Sequence, residues 1–498
     1  MNVNPITRLD YPDPDVIRVE DTYYMVSTTM HFMPGCEILQ SFDLVHWEHV
    51  TYVYETLDHT DAQQLKSGQN IYGQGMWAAS LRYHEGRFYI CFVANDTRKT
   101  YLYTSEKIDG PWKKQLIEGF YHDGSLLFDE DGRNYIVYGN DEIWITELNE
   151  DLTAPKKDGL HRLLVSDHKN PELGYEGSHI QKINGYYYIF LVHSLRDRWM
   201  RTEACFYSDS LEGEFTGGDV LCDDRGYCGQ GVAQGGIVDT PDGKWYAMLF
   251  QDSGAVGRLP ILLPVTWKDH FPVFGQNGHV PEEIEVHSTR PGYIYQPLVG
   301  SDDFCNGLLP RWQFNHDPDP RYYHLDALQG TYTITTREVC TELTQAVNTL
   351  TQRMSYPSCA AEVTVDASAL KEGDVAGLCA FQGCYAAVGI TKHHGKYEVL
   401  MLDKKEDGIL DMTEGTVVES HQMDFRLEAD FCNMKDEARC YYRVNKGDWL
   451  PIGTVHKLYF KLDHFTGCRF GLFCYAAEET GGSACFRDFK YYDVDEIS

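Results

Sequence analysis

One phrase recurs five times in the first half of the chain: a turn dipeptide followed by an aromatic-rich strand. The copies are Asp21-Thr22-Tyr23-Tyr24, Gly86-Arg87-Phe88-Tyr89, Gly132-Arg133-Asn134-Tyr135, Gly185-Tyr186-Tyr187-Tyr188 and Gly243-Lys244-Trp245-Tyr246, with turns 65, 46, 53 and 58 residues apart. Such a period marks an array of like β units, here a five-bladed β-propeller. Counting back nine residues from the four turn glycines gives Trp77, Asp123, Glu176 and Gln234, and eight from Asp21 gives Asp13. Equivalent positions of propeller blades converge on one axis. Three of these five are carboxylic acids.

A chain of 498 residues exceeds one hydrophobic core, so more than one domain is expected. Residues 1–285 carry the blade signals, in short alternating strands rich in Tyr, Phe and Trp. The predicted first strands include Ala79-Ser80-Leu81-Arg82-Tyr83 and His179-Ile180-Gln181-Lys182-Ile183. Residues 286–300, with Pro291 and Pro297, read as a connector. From 301 to 498 the blade phrase is gone, but alternating segments continue, among them Thr331–Thr335, Ala361–Val365, Tyr397–Leu402, Phe425–Ala429 and Arg469–Phe473. These predict an antiparallel β-sandwich. The fold class is therefore all-β, a propeller followed by a sandwich.

The formal charge of -32 repels phosphate backbones and anionic membranes, which argues against nucleic-acid and membrane partners. No run of eighteen apolar residues is present. Met1-Asn2-Val3-Asn4-Pro5 has neither the basic nor the apolar part of a secretory leader. The fifteen cysteines show no paired CxxC spacing and several sit in strand-like runs, so reduced thiols in a cytoplasmic protein are expected. No phosphate-binding glycine loop, nucleophile elbow or zinc spacing is found.

Each acid alone reads as a turn or loop residue: Asp13 lies between Pro12 and Pro14, and Asp123 and Glu176 each precede Gly-Ser. Their shared register gives them a joint meaning. Glycoside hydrolysis uses one protonated and one ionised carboxyl group. A third carboxylate beside the proton donor raises the donor's affinity for its proton by like-charge repulsion. Glu176 is the natural donor, Asp13 the base and Asp123 the modulator.

Pro12-Asp13-Pro14-Asp15-Val16-Ile17, His122-Asp123-Gly124-Ser125, Tyr175-Glu176-Gly177-Ser178-His179 and Gly257-Arg258 together resemble the family 43 glycoside hydrolases. Ser301-Asp302-Asp303-Phe304 and Phe486-Arg487-Asp488-Phe489 resemble the β-sandwich appended to that family's β-xylosidases. The resemblance implies an inverting enzyme with Asp13 as general base, Asp123 as pKa modulator and Glu176 as general acid. It implies Arg258 as a sugar-binding arginine and Phe32 and Trp77 as aromatic pocket walls. Many relatives have a histidine at the fifth axial position, sometimes tied to a central metal. This chain has Gln234, which can anchor a water, so the resemblance carries no calcium over through that position.

The expected activity is exo-acting release of terminal pentose from xylo-oligosaccharides by a β-xylosidase, or the closely allied α-L-arabinofuranosidase. An endo-arabinanase and a non-catalytic glycan-binding protein are the rivals. No cofactor is required; Asp302 or Asp488 offers oxygen ligands suited to a structural calcium. A Glu478–Gly482 turn is expected to wall the pocket, and the sandwich has surface for a homo-oligomer.

Overall fold

The computed structural model describes residues 3–493. Met1 and Asn2, part of the segment read for a leader, and residues 494–498, the end of the predicted sandwich, lie outside them. Among the described residues five four-stranded antiparallel sheets follow one another along the chain, each a simple meander. Their innermost strands, in blades I to V in chain order, are Asp15–Val19, Met76–His84, Ser125–Phe128, Glu176–Ile183 and Val232–Asp239. Each is followed by the repeated turn and then the aromatic strand, whose alternate residues pack between blades.

Among the described residues no strand is exchanged between the first and last blades. The ring closes through the N-terminal segment, which runs along the last blade. The amide of Ile6 donates to the Pro260 carbonyl at 3.1 Å, and that of Tyr11 to the Arg258 carbonyl at 3.1 Å. Arg18 adds a bond from Nε to the Asp239 carbonyl at 3.1 Å.

A buried polar network joins the inner strands. Asp15 accepts from Arg82 Nη1 at 2.8 Å and faces His179 Nδ1 at 3.1 Å. Arg82 Nη2 donates to Ser125 Oγ at 2.6 Å, and that oxygen accepts from the Ile180 amide at 3.0 Å. Four blades thus share one network. Burial works against the charge of Asp15, but Arg82 and His179 outweigh it and hold its carboxyl below the usual range.

The second domain is two packed sheets of nine and seven strands among the described residues. All five predicted segments lie within observed strands. One strand of the larger sheet comes from the propeller: Phe32–Met33 pairs with Gln313–Asn315. The domains are therefore joined by a β ladder as well as by side chains. Blade V is tied to the sandwich through its Gly254–Val256 turn: the Ala255 carbonyl accepts from the Cys468 amide at 2.8 Å. Asp10 bridges the two domains, accepting from the Arg258 amide and the Gly467 amide, both at 2.8 Å. Gly257 sits at φ 106, and a Cβ there would stand 2.3 Å from Asp10 Oδ1, so this junction requires glycine.

Candidate active site

A cavity of about 480 Å³ lies on one face of the propeller. Asp13, Trp77, Asp123, Glu176 and Gln234, the five residues found by counting back from the turns, all line it. Local backbone distortion aims them. The ladders of three inner strands slip between Met76 and Ala79, between Glu176 and His179, and between Ala233 and Gly236. Such bulges re-aim side chains at sheet ends. Asp13, Asp123 and Gln234 adopt left-handed φ values of 52, 48 and 66. Strain of this kind persists only where the surroundings impose it. Gly177, at φ 66, follows Glu176, and a Cβ there would lie 2.7 Å from the Gln234 side chain.

Asp13 is buried and takes two donated hydrogen bonds. Arg258 Nη1 donates to Oδ1 at 2.9 Å and Thr28 Oγ1 to Oδ2 at 2.6 Å. Glu176 Oε2 accepts from Asn140 Nδ2 at 2.9 Å and faces His122 Nε2 at 3.5 Å. With Oε2 engaged by these partners, Oε1 is the oxygen left to meet a ligand. Asp123 Oδ2 accepts from the Gly177 amide at 2.9 Å and lies 3.6 Å from His122 Nε2. His122 thus stands between two carboxyl groups.

Burial raises Asp123 to about 6; the neighbouring Glu176 and Asp13 add to this, while His122 and the Gly177 amide oppose it. Burial acts to lower His122, but Asp123 and Glu176 prevail and lift it to about 9. Near neutral pH the site therefore holds an imidazolium between its acids. Among the described residues these three side chains are the one set of His, Cys, Asp and Glu whose ligand atoms all come within 4.8 Å. The hydrogen bonds and ion pairs just described account for that closeness.

Arg258 is 2% exposed, with Phe465 of the sandwich 4.3 Å from its guanidinium carbon. The Trp77 ring lies 5.6 Å from Phe465 and 5.8 Å from His122, and its indole Nε1 is buried without a hydrogen-bond partner. Beneath Gln234, Glu203 accepts from the Gln234 amide at 2.7 Å, and burial raises its carboxyl well above the ordinary range.

Two expectations are corrected. Phe32 is away from the cavity. As part of the strand that joins the sandwich sheet it is fully buried, with the Arg469 guanidinium 3.4 Å from its ring centre. The Glu478–Gly482 turn is also elsewhere, packed on the 371–374 segment, with Lys371 Nζ donating to the Thr480 carbonyl at 2.7 Å. The sandwich does wall the cavity, but through Met434 and the 460–465 loop, which contributes Phe460, Lys461, Leu462 and Phe465. At the proposed calcium position, the Asp302 oxygens accept from the Phe304 amide at 2.7 Å and the Trp312 indole at 2.8 Å.

His122, Asn140, Trp199, Arg201 and Asp252 line the cavity and were not singled out from the sequence. A signal for three of them was present. Asn140 and Asp252 end the second strands of their blades, eight and nine residues after the turn glycines Gly132 and Gly243. Arg201 begins the third strand of blade IV as Arg258 begins that of blade V.

The fold and site define a glycosidase. Residues 3–272 match the model of glycosyl hydrolases family 43, and residues 301–492 match the β-xylosidase C-terminal concanavalin A-like domain. The chain belongs to glycosyl hydrolase family 43. It is 27% identical to a β-xylosidase of Formosa agariphila, over 99% of this chain and 89% of that protein. It is 24% identical to a xylosidase/arabinosidase of Butyrivibrio fibrisolvens, over 99% of both. A solved structure of a bifunctional GH43-CE protein of Bacteroides eggerthii superposes with a TM-score of 0.92 at 42% identity. It covers 99% of this chain, which spans only 64% of that longer one.

Proposed function

We propose that this family 43 enzyme is an exo-acting, inverting β-xylosidase that removes terminal xylose from short xylo-oligosaccharides. The observation that carries this reading is the cavity. The buried Asp15–Arg82–His179 network ties the inner strands together further along from the residues that line it, the 460–465 loop walls its side, and Asp13, Asp123 and Glu176 all line it. A cavity walled in this way takes a chain terminus, and the β-xylosidase relative supports xylose as the sugar.

In the mechanism, Glu176 protonates the glycosidic oxygen from Oε1 while Asn140 and His122 hold Oε2. Asp13, fixed by Arg258 and Thr28, takes a proton from a water that attacks the opposite face of the sugar ring. Inversion requires room for that water, a carboxyl separation of about 6.5–9.5 Å. Asp123 carries a negative charge above about pH 6 and opposes proton loss from the donor beside it. The chemistry requires the carboxyl groups alone.

α-L-Arabinofuranosidase activity is the second reading, supported by the xylosidase/arabinosidase relative. All fifteen cysteines are free thiols, which supports a reducing, cytoplasmic setting and hence imported oligosaccharides as substrates. Aryl β-xyloside and aryl α-arabinofuranoside, assayed side by side, test the sugar. Xylotetraose digestion tests the exo mode: xylose and xylotriose as first products support it, and early xylobiose alone contradicts it.

A further inference from the structure

The cavity holds a second buried guanidinium. Arg201 is 7% exposed and occupies in blade IV the place that Arg258 occupies in blade V, the first residue of the third strand. Both flank the Phe250 ring, with guanidinium carbons 5.2 Å and 5.4 Å from its centre. Asp252 links the two. Its backbone pairs with Arg258 in the blade V ladder, and its Oδ2 accepts from Arg201 Nε at 2.8 Å. Trp199 stands at the rim, its ring centre 5.3 Å from the Arg201 guanidinium carbon.

Two features together make this pair available to a ligand. Arg201 meets Asp252 through Nε, and its Nη1 is buried with no hydrogen-bond partner. A buried charged donor left unpaired is costly unless a ligand completes it. In addition, Arg201 and Asp252 both line the cavity that contains Asp13 and Glu176.

We propose that Arg201 and Asp252 together read two adjacent hydroxyl groups of the bound sugar, a vicinal diol. The guanidinium donates to the oxygen of one hydroxyl, and the carboxylate accepts the proton of its neighbour. A donor and an acceptor side by side complement two groups that can each do either. Arg258 is paired with Asp13 and Arg201 with Asp252, so neither guanidinium lacks a carboxylate partner. Three further acidic groups, Asp123, Glu176 and Glu203, stand nearby. The site therefore selects a neutral sugar and rejects a uronic acid. Arg201 and Asp252 become specificity-determining residues, and the inference rests on the glycosidase reading above.

The test uses 4-nitrophenyl β-xyloside and its 2-, 3- and 4-deoxy analogues with the wild type, Arg201→Met and Asp252→Asn. A charge-assisted hydrogen bond to substrate corresponds to about 10- to 100-fold in kcat/KM. The wild type is expected to lose that factor on two analogues that lack neighbouring hydroxyls. Arg201→Met should lose it on the parent glycoside yet match the wild type on one of those analogues. Asp252→Asn, which preserves side-chain volume, should match the wild type on the other. Equal losses on all four substrates, or no loss on the parent, overturn the proposal. A wild type that turns over none of them contradicts the β-xylosidase reading instead. Saturation-transfer NMR with D-xylose then decides the proposal: a signal in the wild type that Arg201→Met abolishes supports it, and equal or absent signals overturn it.

Discussion

Arg258 Nη1 stands 2.9 Å from Asp13 Oδ1, joining residues 245 positions apart in the chain. The contact exists because the N-terminal segment lies along the strand that begins at Arg258. Closing the ring of blades and assembling the proposed base are one event. The sandwich takes part in it, since Asp10 ties the Arg258 amide to Gly467.

Asp13→Asn removes the group that activates water, whatever the leaving group. Turnover of xylobiose and of an activated aryl xyloside should both fall by at least about 10²- to 10⁴-fold. Steady-state kinetics on the two substrates checks this, and substantial activity on either one counts against the base assignment.

Glu176→Gln behaves differently, because an activated aryl leaving group departs without a proton. Xylobiose hydrolysis should fall by about 10²- to 10⁴-fold while the aryl xyloside loses much less. Equal losses on the two would contradict the donor role.

Asp123→Asn keeps the shape of the side chain and removes the charge that opposes proton loss from Glu176. The alkaline limb of the kcat/KM profile should move to lower pH. The effect belongs above about pH 6, where Asp123 is charged. A limb that stays in place rejects the modulator role.

His122 links stability to pH with a definite sign. Its folded value is lifted from 6.5 to about 9. The resulting stabilisation is fully present below 6.5 and is lost as pH rises through about 9. It amounts to at most about 3 kcal/mol. His122→Gln lacks it, so the stability gap between wild type and variant should narrow between about pH 6.5 and about pH 10. Urea denaturation of both proteins at the two pH values measures the gap, and a gap independent of pH contradicts the buried imidazolium.

The blades and their axial residues were legible because a propeller converts a linear period into radial equivalence. One offset from each turn located Asp13, Trp77, Asp123, Glu176 and Gln234. The same logic extends to the ends of the second strands and the starts of the third, where Asn140, Asp252 and Arg201 stand. Phe32 escaped it because it lies in no blade sheet. Two residues of the propeller chain pair with Gln313–Asn315, a partner about 280 positions away that no local pattern announces. The walling loop was misplaced for a related reason. Which sandwich loop reaches the cavity is decided by domain docking, through the Cys468 amide on the Ala255 carbonyl and Gly467 on Asp10.

The stereochemistry of the first product tests the roles of Asp13 and Glu176 most directly. Proton NMR during hydrolysis of an aryl β-xyloside distinguishes the two anomers of xylose before they mutarotate. The proposed mechanism predicts α-xylose as the initial product. Initial release of β-xylose would mean that a carboxylate attacks the sugar itself, contradicting the assignment of Asp13 as a base acting on water.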